Sequence, residues 1–153
     1  MNKNTAIVLL LVSSLSLIVV TSCNKENETK ISSHNSNESH KAGENCLSCH
    51  RSGGEGEGHF IVAGTVYDSL GTTIKPNGTI RLYSQPNGGG SLLSTIEVDA
   101  KGNFYTTESV DLSNGIYSSA TGTSGSAHFM TDINTNGACN SCHGVTQSPI
   151  WVD

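Results

Sequence analysis

Positive charge is scarce in this chain: 153 residues hold 8 Lys and Arg against 13 Asp and Glu, a formal net charge of −5. That balance argues against a nucleic-acid partner, which needs cations lined up against phosphates. The vocabulary of catalysis is thin as well. There is no Ser-His-Asp spacing and no H-E-x-x-H, and the acidic residues are scattered as on a solvated surface. The glycine-rich Ser52-Gly53-Gly54-Glu55-Gly56-Glu57-Gly58 lacks the lysine and the following helical run of a phosphate loop. Long hydrophobic runs are limited to residues 6–20, where Ser13, Ser14 and Ser16 interrupt a segment shorter than the about 20 apolar residues of a spanning helix. From residue 60 to 130 no sustained helical periodicity occurs.

What the chain does have is Cys46-Leu47-Ser48-Cys49-His50 and, 93 residues later, Cys139-Asn140-Ser141-Cys142-His143. Both are C-x-x-C-H, the attachment signature of c-type haem, and they resemble the haem-binding motif of c-type cytochromes. Two thiols at this spacing bond to the two vinyl groups of one porphyrin, and the adjoining histidine reaches the iron from one side. Shuffling the chain's 5 Cys and 6 His would yield ~0.005 such motifs, so accident is a poor rival. The chemical rivals are a redox disulfide and a zinc site shared by both pairs. Zinc held by four thiolates leaves both histidines without a task, and the βαβ pattern that accompanies redox C-x-x-C motifs is missing. The expectation is two covalent haems c, held by Cys46, Cys49, Cys139 and Cys142 and ligated by His50 and His143.

Thioether attachment implies export. Met1-Asn2-Lys3-Asn4 followed by the apolar residues 6–20 reads as a signal peptide spanning 1–22. Val20-Thr21-Ser22-Cys23 resembles the lipobox of bacterial lipoproteins, which implies lipidation of Cys23 and anchoring to a membrane surface, each buried CH2 contributing about 0.8 kcal/mol. Five cysteines divide into two haem pairs plus this one, leaving none for a structural disulfide. Without residues 1–22 the chain keeps 7 basic and 13 acidic side chains, a formal charge of −6. An acidic surface permits a basic redox partner protein.

Residues 23–45 are Asn, Ser, Glu and Lys with Ile31 as almost the only sizeable apolar residue, and they read as a flexible tether. His34 and His40, which lie in it, read as solvated tether histidines. Residues 46–58 form the first haem-binding segment, with glycines that either pass close to a porphyrin or serve as a plain connector. Short β-rich runs follow at 59–67, 79–83, 92–98, 103–107, 115–120 and 127–131, separated by turn residues such as Pro76-Asn77-Gly78 and Lys101-Gly102. Six or seven short strands at such spacing predict a mainly β domain, a small two-sheet sandwich over 59–131 with C-x-x-C-H segments at both ends. Residues 132–153 form the second haem-binding segment.

Gly64-Thr65-Val66-Tyr67, Ile80-Arg81-Leu82-Tyr83, Asp99-Ala100-Lys101-Gly102-Asn103-Phe104 and Asn114-Gly115-Ile116-Tyr117 resemble the carboxypeptidase-regulatory-like or transthyretin-like β-sandwich family. In that family Asp-x-x-Gly-x-Phe makes a hairpin whose aromatic residue points into the core. The resemblance implies that Asp99 starts the turn, Gly102 takes the left-handed position and Phe104 resumes the strand inward. It informs the fold and says little about activity.

An iron held by His50 or His143 has one more axial position, filled by His or Met from outside the motifs. His59 could fold back over a haem across the glycine loop, or stand exposed at a strand entrance. His128 and Met130 share a face of one strand, two residues apart, so both address the same side; Met130 is favoured and also has an ordinary reading as core filler. An odd number of strands between the motifs would place them at opposite ends of the sandwich, an even number at one end. The resulting expectation is a lipid-anchored dihaem electron carrier rather than an enzyme. Its alternatives are a surface binding or adhesion module with zinc in the C-x-x-C-H pairs, and a haem-based sensor or peroxidase with one five-coordinate iron.

Overall fold

The computed structural model describes residues 29–153, so the expected signal segment 1–22, Cys23 and the first tether residues lie outside the described part. Within it the chain forms seven strands and only two single-turn 3-10 helices. The strands are β1 (Val62–Tyr67), β2 (Thr79–Tyr83), β3 (Leu92–Glu97), β4 (Asn103–Thr106), β5 (Tyr117–Thr121), β6 (Ala127–Phe129) and β7 (Ile150–Trp151). They build two sheets, one of three strands in the order β4-β1-β7 and one of four in the order β3-β2-β5-β6. All pairings are antiparallel except β1 with β7.

Period-2 patterning explains which faces meet. In β2 Ile80 and Leu82 are buried while Thr79, Arg81 and Tyr83 are half-exposed, and they join Ile96 of the same sheet and, across the sandwich, Val62, Val66 and Phe104 in one core cluster. The Asp99 turn has the expected construction. Asp99 Oδ1 accepts from the Lys101 and Asn103 amides, both at 2.9 Å. Gly102 sits at φ +74°, and Phe104 is buried against the facing sheet.

Two strands differ from expectation at their starts. Phe60 donates its amide to His50 O at 2.9 Å, which holds residues 59–61 to the first motif and delays β1 to Val62. Ile116 is drawn into a bridge with Asn134, so β5 begins at Tyr117. The seventh strand comes from inside the expected second haem segment: β7 pairs Val66 with Ile150 and Tyr67 with Trp151, closing the small sheet with the tail.

The reading of 23–45 as a free tether is corrected over its described part. Ile31 bridges to Thr106; Ser32 is buried, its amide donating to Tyr105 O at 3.0 Å and its hydroxyl to Glu97 O at 2.6 Å. Backbone and hydroxyl hydrogen bonds along the β4 edge, not apolar burial, order this segment. Composition carries no sign of that.

Six strands, β1 to β6, separate the two motifs in sequence, and both motifs pack against β1. Gly64 makes the contact possible, because a Cβ there would meet Phe104 Cζ at 2.6 Å and Cys139 Cβ at 2.9 Å.

Candidate functional site

The two C-x-x-C-H segments fold alike. Each starts on a 3-10 turn, Cys46–Ser48 and Cys139–Ser141. In the first, the Cys49 and His50 amides both donate to Cys46 O, at 3.2 and 2.9 Å; in the second, Cys142 and His143 donate to Cys139 O at 3.2 and 3.0 Å. A tight turn of this kind gathers both cysteines and the histidine around one carbonyl. Asn45 caps the first turn through Oδ1 to the Leu47 amide at 3.2 Å.

The histidines are held in the same way. His50 Nδ1 lies 2.9 Å from Glu57 O, and His143 Nδ1 lies 2.7 Å from Ser148 O. A carbonyl only accepts, so Nδ1 carries the proton and the lone pair of each neutral ring is on Nε2, ready for a metal. Around His50 the packing is close. Phe60 stacks on its ring at 4.1 Å with planes 4° apart, and Tyr105 stacks on Phe60 at 4.7 Å. Beyond the ring runs the glycine loop: a Cβ on Gly56 would lie 2.7 to 2.9 Å from three His50 ring atoms. Gly56 therefore makes room for the histidine itself.

Each motif borders its own cavity. Cys46, Cys49 and His50 line a space of about 570 Å³ with His40, Phe60 and Tyr105. Cys139, Cys142 and His143 line one of about 350 Å³ with His128, Met130 and Trp151. Both volumes fall in the range of small-molecule sites, roughly 300–1,000 Å³. Alternate residues of β4 serve different cavities: Asn103 and Tyr105 face the first, Phe104 the second. The two spaces thus lie on opposite faces of the small sheet.

A buried amide joins the motifs. Asn140 Nδ2 donates to Glu44 O at 2.9 Å and to Thr65 Oγ1 at 2.9 Å, while its Oδ1 accepts from the Thr65 amide at 3.1 Å. Thr65 Oγ1 also accepts from the Gly43 amide at 2.9 Å and donates to Asn103 Oδ1 at 2.7 Å. Asn140 occupies a variable position of the signature, so nothing in the motif reveals this role. The four described cysteines are free thiols. Burial pushes the Cys139 thiol up to about 12, and the nearby Cys46 adds to the shift. Cys46 is itself raised, by burial and then by Glu44.

The sixth-ligand candidates separate by position. His59 is exposed and lines neither cavity. His128 and Met130 both line the second cavity, as their shared strand face requires. The His128 ring packs on Trp151 at 3.9 Å and its Nε2 lies 3.3 Å from Asp153 Oδ2. Met130 is bound only through its backbone, its amide donating to Ser118 O at 2.8 Å. His34 is occupied: Nε2 is 2.9 Å from Gly78 O. His40, read from sequence as a solvated tether histidine, stands with its ring 5.8 Å from that of His50. Among the described residues, no group of three or more His, Cys, Asp or Glu side chains is placed to hold a metal ion by itself, and no helix is long and apolar enough to cross a membrane.

No protein-family model, no curated protein and no solved structure matches this chain. The fold defines it as a small two-sheet β-sandwich.

Proposed function

We propose that this chain is a dihaem c-type cytochrome that carries electrons, anchored by a lipid on Cys23 to the outside of a bacterial membrane and exchanging electrons with a separate redox protein. The observation that carries the reading is the repeated geometry of the two motifs. Two thiols border one cavity beside an imidazole whose Nδ1 is spent on a backbone carbonyl, and the arrangement occurs twice. The donor set suits the group: paired thiols for two vinyl carbons, one Nε2 for iron, and aromatic or aliphatic walls at Phe60, Tyr105, Phe129 and Ile133 for the ring.

A haem bound in each cavity supplies a one-electron Fe(III)/Fe(II) couple. The protein's part is to hold, orient and shield. Cys46, Cys49, Cys139 and Cys142 fix the ring by covalent bonds. Glu57 O and Ser148 O fix the histidine tautomer and raise the basicity of the ligating nitrogen. Asn140 ties the two attachment turns together across β1. That the two pairs border separate cavities supports two bound groups over one zinc ion shared by all four thiols.

The test is direct. Full-length protein matured with haem-attachment machinery, then unfolded, is expected to keep the mass of two haems. Cys46→Ala/Cys49→Ala and Cys139→Ala/Cys142→Ala should each keep one. Colourless material without covalent tetrapyrrole would refute the proposal, and stoichiometric zinc in its place would establish the adhesion-module alternative.

A further inference from the structure

We infer that His40 is the second axial ligand of the iron at the first motif, a role that rests on the haem reading above and that the motif itself does not assign. Metal to imidazole bonds of about 2.0–2.1 Å place the centroids of two trans ligand rings about 6 Å apart. The rings of His40 and His50 stand 5.8 Å apart, tilted by 37°. Both line the cavity that Cys46 and Cys49 border. The separation matches that spacing, and no hydrogen bond joins the two rings.

The neighbours of His40 fix it there. Ser39 Oγ accepts from Asn103 Nδ2 at 2.9 Å, Ser39 O accepts from Lys101 Nζ at 2.7 Å, and His40 O accepts from Asn103 Nδ2 at 3.4 Å. On its other side Lys41, at φ +51°, turns the chain back toward Glu44 and the first cysteine. The histidine thus sits between an anchor on β4 and the start of the motif. Among the described residues its ring has no hydrogen-bond partner, in contrast to His34 on Gly78 O and His128 on Asp153. Of the other basic groups at this cavity, Lys30 is paired with Glu57 at 3.1 Å and Lys41 with Glu44 at 3.4 Å. His40 is the ligand type left over.

The experiment uses the matured full chain with two haems confirmed by mass. In His40→Ala, one of the two irons is expected to lose its low-spin six-coordinate signal. The reduced protein should then bind one more equivalent of carbon monoxide than the parent. Added imidazole should restore the low-spin signal, and His40→Met should bring a sulfur-to-iron charge-transfer band in the near infrared that Met130→Ala does not remove. His40 is exposed, so none of these changes touches the core. An unchanged spin state and carbon monoxide stoichiometry in His40→Ala, at full haem content, overturns the assignment. The same changes arising from His59→Ala instead overturn it too. Failure of the underlying reading looks different, because the parent would then carry no covalent haem at all.

Discussion

At Cys139, burial governs the thiol. Its pKa of about 12 against an ordinary 9.0 means that the folded apoprotein holds this proton where the unfolded chain has released it. The stabilisation is complete below pH 9 and is lost as pH rises toward 12. Haem-free protein is therefore expected to lose stability in denaturant titrations across that window, and haem-loaded protein, whose thiols have become thioethers, should lack that component. Alkylation offers a second check. Cys49 and Cys142 are exposed and should label in native apoprotein at neutral pH, whereas Cys139 should label only on unfolding. Equal labelling of Cys139 and Cys142 in the native state would contradict the burial. At the second cavity, the carboxylate beside His128 Nε2 favours Met130 as iron ligand: Met130→Ala should abolish the near-infrared sulfur band and lower the potential, and His128→Ala should preserve the band. If His128→Ala alone alters the spectrum, the order is reversed. The C-x-x-C-H motifs are legible because their residues are contiguous in sequence. His40 and Asn140 were not, since each owes its place to partners 10 to 96 positions away in sequence, His50 for one and Glu44 for the other.

Strands explain why the motifs stay together. Asn140 serves Thr65 N, Thr65 Oγ1 and Glu44 O at once, and removing it strands buried polar groups, each costing about 1–3 kcal/mol. Asn140→Ala should lower unfolding stability by at least that much for one group, and Asn140→Asp should not restore it, because a buried carboxylate oxygen would face the Glu44 carbonyl where the amide donates. A change under about 0.5 kcal/mol would mean that water replaces the amide. Phe104, buried between Gly64 and the facing sheet, should cost about 3–5 kcal/mol as Phe104→Ala, read by urea denaturation. Alternation in β2 and the Asp99 turn announced their structures because their determinants are local. The two-residue β7 did not, because Ile150–Trp151 becomes a strand only by lying parallel to β1, and parallel pairing of distant segments leaves no local pattern. Ile31 and Ser32 escaped for a related reason: a polar segment bound by backbone hydrogen bonds has the composition of an unbound one.

For the whole molecule, two attachment turns and a sandwich share one small body. Apolar side chains such as Phe129 and Ile133 stand exposed at the second cavity. Protein in which all four motif cysteines are changed to alanine is expected to melt several degrees below the dihaem form, and equal melting temperatures would show that the sandwich stands alone. The two-sheet architecture was readable from the spacing of short strands, whereas the packing of both motifs against β1 depends on contacts between distant segments that leave no local pattern. One further consequence belongs to β4. Successive side chains of a single strand wall two separate chambers, the amide of Asn103 and the phenol of Tyr105 on one side and the hydrocarbon ring of Phe104 on the other. Inserting one residue there would trade the linings, so a shift of register in β4 rewrites both chambers at once.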